Sequence, residues 1–324
     1  MKTQKVVLLC GLILAIGLDA GCAQSNSLAS TPSPESSNPT ASSTMSIQTA
    51  TLAPTFPPLP TITPTIFPTL SVEEARTRLL DLLANNGNCQ LPCLWGITPG
   101  KNLFQEARAI LMPLSGLAYS VHLSSPNVGE ISPVYADGDF VLYTRVAFLY
   151  HDNGTISRIA FNVEAHKPLP QGGYEDVFDS KSFGEKISAY ALPHVLTEQG
   201  IPSSVMISTF GGPLTRGGTG GFDILLLYPQ QGILVNYTTQ IHLIGTNVLG
   251  CPSNAHVEME LFPPGQPDSF FEGLKQTDWA VKMNGYQPLE EVTSMSVEEF
   301  YKAFRDPTNK CIETPASLWP VPEP

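Results

Sequence analysis

Basic residues are scarce in this chain. Lys and Arg number 17 against 29 Asp and Glu, a net charge of −12, and the cations stand singly rather than in clusters. A nucleic-acid surface needs grouped Lys and Arg to displace phosphate counterions, so nucleic acid is excluded as a partner. Long apolar runs are also missing beyond the first twenty residues. A membrane-crossing helix needs roughly 20 consecutive apolar residues, and every later segment is broken by polar residues or Pro. The six histidines, His122, His151, His166, His194, His242 and His256, form neither H-E-x-x-H nor an i, i+4 pair, so no helix face offers two imidazoles to zinc. Neither G-x-S-x-G nor S-x-x-K occurs, which leaves a serine hydrolase without a nucleophile. One Gly-rich loop, Gly211 to Gly221, is followed by a strand-like segment instead of the helix a phosphate cradle requires. That loop reads as a long hairpin connection, exposed enough to touch a partner. On these absences we expect no catalytic residue, no metal and no cofactor.

What is present begins at the N-terminus. Lys2 and Lys5 precede an apolar run from Val6 to Leu18 broken only by small residues such as Gly11 and Gly17, the pattern of a signal-peptide core. The run closes on Ala20-Gly21-Cys22, which resembles the lipobox of bacterial lipoproteins. The resemblance implies diacylation of Cys22 and its exposure as the new N-terminus, making Cys22 the lipid attachment and the membrane the first partner. Asp19 departs from the motif, which carries Leu or another uncharged residue there; the nearest Leu is Leu18. Ordinary cleavage near Gly21 would instead release a secreted chain with a Cys22 thiol. Export follows on either reading.

Residues 23–70 are rich in Ser, Thr, Pro, Ala and Gln, contain no Lys or Arg, and have Glu35 as the only acid. Few side chains there are large and apolar, and Pro54, Pro57, Pro58, Pro60, Pro64 and Pro68 remove backbone donors. A disordered tether is expected, spanning on the order of 40 Å if flexible and about 150 Å if extended.

The remaining chain divides into units 71–170 and 171–324. Ser71-Val-Glu-Glu has capping-box spacing and predicts a helix with Ala75, Leu79, Leu82 and Leu83 on one face, ending at Asn85-Asn86-Gly87. A second helix is expected from Asn102, with Gln105 in capping position and Phe104, Ala107, Ile110 and Leu111 at helical spacing, until Pro113 and Gly116 stop it. Strands follow at 117–123, 141–150 and 156–163, the last two joined by His151-Asp152-Asn153-Gly154, a hairpin signal. The order then recurs: a helix from about Ile187 to Gly200, and strands at 204–210, 222–228 and 232–237. Leu149-Tyr150-x-x-x-Gly154 against Leu227-Tyr228-x-x-x-Gly232 anchors the repeat. The expectation is an α+β fold of two tandem helix-plus-three-strand units, with antiparallel sheets and helices packed on one face. A further strand at 257–262, a helix from Ser296 with Glu299 in capping position, and a tail docking through Trp319 complete the chain. One helix followed by three strands resembles the modules of outer-membrane assembly lipoproteins and β-lactamase-inhibitor proteins.

Cys89, Cys93, Cys251 and Cys311 remain once Cys10 and Cys22 are set aside. In an oxidising compartment two disulfides are the default, and of three connectivities we favour Cys89 with Cys93, which are close in sequence, and Cys251 with Cys311, which flank the C-terminal stretch. Cys251 and Cys311 lack the close neighbours a zinc cluster needs. The run C-Q-L-P-C-L-W-G-I-T-P-G from Cys89 to Gly100 resembles a C-x3-C-x-W-G-I-x-P-G element of uncharacterised bacterial lipoproteins. That resemblance implies location and domain type and carries no chemistry. Asp137-Gly138-Asp139 and Asp152-Asn153-Gly154 are explained by turn chemistry rather than Ca2+ ligation. Trp95, Trp279 and Trp319 are separated and suit core or docking roles. Glu258 and Glu260 share one strand face, whereas a glycosidase needs two carboxylates facing each other across roughly 5 to 9.5 Å. The expected function is non-catalytic binding of an envelope protein or glycan by a tethered domain; the alternative is an envelope hydrolase acting on glycan or peptide.

Overall fold

The computed structural model describes residues 70–319 except 126, 139, 179, 211–219 and 309. Cys22, the signal and tether residues 1–69, Asp139 and the loop 211–219 lie outside the described residues. Helix α1 (Val72–Asn85) starts on the expected capping box: Glu74 N donates to Ser71 Oγ, and the Glu74 carboxylate accepts from Ser71 N at 2.9 Å. Its apolar stripe, Ala75, Leu79, Leu82 and Leu83, is fully buried. Helix α2 (Phe104–Leu111) begins two residues later than expected, and its capping carboxylate is Glu106, not Gln105, accepting from Leu103 N at 2.7 Å.

Strands β1 (Ala118–Ser125), β2 (Val128–Asp137), β3 (Phe140–Tyr150) and β4 (Ile156–Pro168) form an antiparallel meander. Strand β2 was not expected, because Gly129 and Pro133 interrupt its apolar pattern, although burial alternates along it. The first meander therefore has four strands instead of three. The β3–β4 hairpin turns where Asn153-Gly154 predicts: Gly154 adopts φ 83° and Asn153 Oδ1 accepts from Thr155 N. After β5 (Tyr174–Asp176) and α3 (Lys181–Lys186), the helix expected from Ile187 is split. A 3-10 turn, Ser188–Tyr190, precedes α4 (Leu192–Gln199), since Pro193 in the first turn lacks the N–H that a continuous helix would use.

A second antiparallel meander follows, β6 (Ser204–Phe210), β7 (Gly221–Tyr228) and β8 (Ile233–Ile244), with β9 (Asn247–Gly250) folding back on β8. Strand β10 (His256–Leu261) inserts between β4 and β8, antiparallel to both. Helices α5 (Pro267–Leu274) and α6 (Trp279–Lys282) precede β11 (Gln287–Pro288), α7 (Leu289–Val292), α8 (Val297–Phe304) and β12 (Ile312–Pro315). The main sheet runs β1-β2-β3-β4-β10-β8-β7-β6-β11, with β12 on β9. Helix α8 carries the expected Ser296–Glu299 capping box.

One sheet face, including Phe148, Phe161, Ile224, Leu226, Tyr237 and Met259, packs into a core with residues of α1, α2, α4 and α8. The expectation of helices on one face fails at the second meander. There Leu225, Leu227 and Leu234 turn the other way onto Phe270, Leu274 and Trp279 of α5 and α6, which is why every residue of β7 is buried. Burying each large apolar side chain stabilises by about 1.5–3 kcal/mol.

The cysteine pairs have the favoured connectivity, Cys89 with Cys93 and Cys251 with Cys311. The C-x3-C-x-W-G element is a structural knot. Asn86, at φ 52°, donates to the carbonyls of Cys89 (2.7 Å) and Cys93 (2.8 Å), while its Oδ1 accepts from Trp95 N (3.1 Å) and lies 3.0 Å from Tyr190 Oη. Trp95 Nε1 donates to Tyr190 Oη at 2.9 Å, and its ring meets Phe161 edge-on. Trp95, Trp279 and Trp319 are all buried.

Candidate functional site

Alternation along a strand sends neighbouring residues to opposite faces. On the face away from α1 and α2, the strands β2, β3, β4 and β10 therefore present Glu130, Arg145, Arg158, Asn162, Glu164, Glu258 and Glu260. Register aligns them: Arg145 lies opposite Asn162, Asn162 opposite Glu258, and Glu258 opposite Asn236 of β8. Helices α5 and α6 cover the second meander on this face, so the polar strip beside them remains open. At the border lies a cavity of about 260 Å³, its floor formed by Arg145, Arg158, Asn162, Glu258 and Glu260, and one wall by residues 276–279.

The charges in this strip are paired. Arg145 holds Glu130 at 2.9 Å and Lys282 of α6 holds Glu258 at 2.9 Å. The hydrogen bond from Arg145 keeps the Glu130 carboxyl below the usual range. Arg158 Nε and Glu260 Oε2 approach to 3.5 Å, yet neither atom has a hydrogen bond among the described residues. Burial pushes Glu260 up to about 7; Arg158 opposes that shift and Glu258 adds to it. Trp279, also lining the cavity, carries a buried indole Nε1 with no hydrogen bond among the described residues, and Lys282 Nζ sits 4.6 Å from the centre of its ring.

Under α6 the strip continues as a closed network. Asp223 accepts from Thr238 Oγ1 at 2.6 Å, and Tyr286 Oη lies 3.1 Å from its second oxygen. Burial raises the Asp223 pKa against these donors. At the other end, His166 is clamped between Glu164 (2.8 Å) and Asp176 of β5 (2.9 Å). Burial alone would lower the His166 pKa, and the two carboxylates outweigh it, so the net direction is upward. His256 nearby is shifted down by burial.

Of the residues singled out from sequence, Glu258 and Glu260 do line one cavity, side by side on β10. A third carboxylate, Glu130, is separated from them by β3 and β4, which puts the backbones about 14 Å apart at three strand spacings. Arg145, Arg158 and Glu130 escaped the sequence reading because isolated charges on half-exposed strands carry no local signature; only the register assembles them. His122 and His151 are exposed, and His194 pairs with Glu198 at 3.1 Å. Asp152-Asn153-Gly154 forms the β3–β4 turn. No group of His, Cys, Asp and Glu among the described residues is arranged to hold a metal ion, and no described helix is long and apolar enough to cross a membrane. Comparison with family models, curated proteins and solved structures finds no match to this chain.

Proposed function

We propose that this is an exported lipoprotein, anchored through Cys22, whose Ala23–Leu70 tether holds out an α+β domain that binds an envelope component without transforming it. One observation carries the binding reading: a polar sheet face, on which Glu130, Arg145, Asn162 and Glu258 stand on neighbouring strands, is left open beside α5 and α6 and ends in a cavity. The two disulfides suit an oxidising, extracytoplasmic compartment. The likeness of the Cys89–Gly100 run to uncharacterised bacterial lipoproteins supports the same location.

We also read the domain as a duplication. The β3–β4 and β7–β8 hairpins carry the two Leu-Tyr-x-x-x-Gly segments, each meander follows a pair of helices, and the hairpins flank β10. The hydrolase alternative draws on Glu260, whose pKa of about 7 suits a proton donor, with Glu258 beside it. Against it, Glu258 is tied to Lys282.

Sedimentation of the full chain in a Cys22→Ser background, which removes the lipid anchor, with isolated cell envelopes tests the reading. The chain with its open face unaltered and the helix-side control Lys302→Glu are expected to co-sediment, and the open-face variant Arg145→Glu/Asn162→Arg to stay soluble. Equal sedimentation of all three would remove the open face from the account. Soluble sugar or peptide released over hours, and lost in Glu260→Gln, would select the hydrolase.

A further inference from the structure

We infer that the Cys89–Cys93 disulfide is exchangeable: a dithiol on another exported polypeptide reduces it through Cys89, and the domain keeps its fold in both redox states. The inference stands apart from the open-face reading and uses none of its residues.

Two cysteines four residues apart close a small ring, and here other bonds already close it. Asn86 Nδ2 donates to the carbonyls of Cys89 and Cys93, its Oδ1 accepts from Trp95 N, and Cys93 N donates to Gln90 O at 3.0 Å. Leu94 and Ile97 exchange backbone bonds at 2.8 and 2.9 Å, and the side chains of Leu91, Leu94, Trp95 and Ile97 are buried. Gln199 at the end of α4 fastens the loop by donating from Nε2 to Leu91 O at 3.2 Å. None of these contacts runs through sulfur. A disulfide that adds little to the stability of a fold is, by linkage, protected little by that fold against reduction. Cys251–Cys311 is the opposite case, because its 60-residue loop ties its opening to the stability of the whole domain.

The first pair is also placed for exchange. Cys89 and Cys93 are half-buried rather than sealed in the core. Cys89 lines a cleft of about 440 Å³ between the C-terminal end of α1 and α4, together with Asn85, Asn88, Gln90, His194 and Glu198. Amide side chains both donate and accept, which is what a peptide backbone laid in the cleft requires. The N–H of exposed Gly96 donates to Cys89 Sγ at 3.2 Å, and a hydrogen bond to the charged form favours a thiolate at that sulfur. The exchange then runs in two steps. A partner thiolate attacks Cys89 Sγ, the bond to Cys93 breaks, and Cys93 leaves as a thiolate, so that a mixed disulfide stands on Cys89. The partner's second thiolate attacks its own sulfur in that bond and expels Cys89 as a thiolate held by the Gly96 N–H. Two electrons pass to this chain, the partner's two thiol protons end on Cys89 and Cys93, and the partner departs with one disulfide.

The test uses the detergent-solubilised full chain with a synthetic peptide carrying two cysteine thiols as reductant, free thiols being blocked with a maleimide at each time point and mapped by mass. Cys89–Cys93 is expected to open at least tenfold faster than Cys251–Cys311, with one peptide disulfide formed for each bond opened and with thermal unfolding still cooperative. Glutathione disulfide then probes each sulfur alone. Cys89 in the Cys93→Ser variant is expected to form the mixed disulfide at least tenfold faster than Cys93 in the Cys89→Ser variant. Opening of Cys251–Cys311 first, loss of cooperative unfolding when Cys89–Cys93 alone is open, or equal rates for the two single thiols would overturn the inference.

Discussion

Glu260 is held by burial with a pKa near 7, and the consequence for stability has a definite sign. Below about pH 4.5 the carboxyl is protonated in both the folded and unfolded chain. As pH rises from there to 7 the unfolded chain releases its proton first, so this residue's contribution falls, by about 3 kcal/mol when complete. Glu260→Gln removes that slope: urea unfolding should show the variant gaining on wild type between pH 5 and pH 8, and a constant difference would contradict the assignment. Asn86 is the opposite case, a buried amide with partners on both its oxygen and its nitrogen. Asn86→Ala leaves the carbonyls of Cys89 and Cys93 and the Trp95 amide without their partner, and should cost about 2–4 kcal/mol in the same assay. Neither effect was readable from the chain alone. Asn86 looked like helix-end punctuation because its partners are backbone groups of the Cys89–Trp95 loop, whose path the chain does not announce, together with the distant Tyr190, and Glu260 looked like half of a solvated pair because Arg158 lies about 100 residues away.

Elements with strong local signals were legible. Both Ser-x-x-Glu capping boxes, at Ser71 and Ser296, start helices as spaced, and Ser296→Ala should lower stability by about 1 kcal/mol. The Asn-Gly hairpin formed as written. Strands β9, β11 and β12, of two to four residues each, are too short for any period to emerge, and β2 was hidden by its Gly and Pro. Strand β5 has no apolar pattern at all; it is attached to β4 through pairs that include His166 with Asp176. Because the folded His166 pKa is raised, its contribution is fully present below about pH 6.5 and is lost as pH rises through the folded value. The protection of amides 174–176, taken relative to the intrinsic exchange rate at each pH, is expected to fall across that rise in wild type. In His166→Gln it should stay level, and pH-dependent protection in the variant would show that the strap is held by something else.

At the scale of the molecule, α+β architecture and antiparallel pairing followed from alternating strand and helix periods. The joining of both meanders into one sheet did not. It depends on β10, which arrives late in the chain and separates β4 from β8, and on α5 and α6, whose Phe270, Leu274 and Trp279 cover a sheet face expected to be open. The same long-range closure is stapled by Cys251 and Cys311, 60 residues apart. In the chain-entropy account such a loop stabilises by roughly 4 kcal/mol, so Cys251→Ser/Cys311→Ser should lower the unfolding free energy by that order. Loss of the Cys89–Cys93 bridge, which closes a loop of few residues, should change it far less.

Whether this domain works outside the cytoplasm on a lipid tether is tested by the intact mass of the native protein, taken with and without reductant. A chain beginning at diacylated Cys22 that gains four hydrogens on reduction is expected. An unprocessed chain starting at Met1, unchanged in mass by reductant, would contradict it.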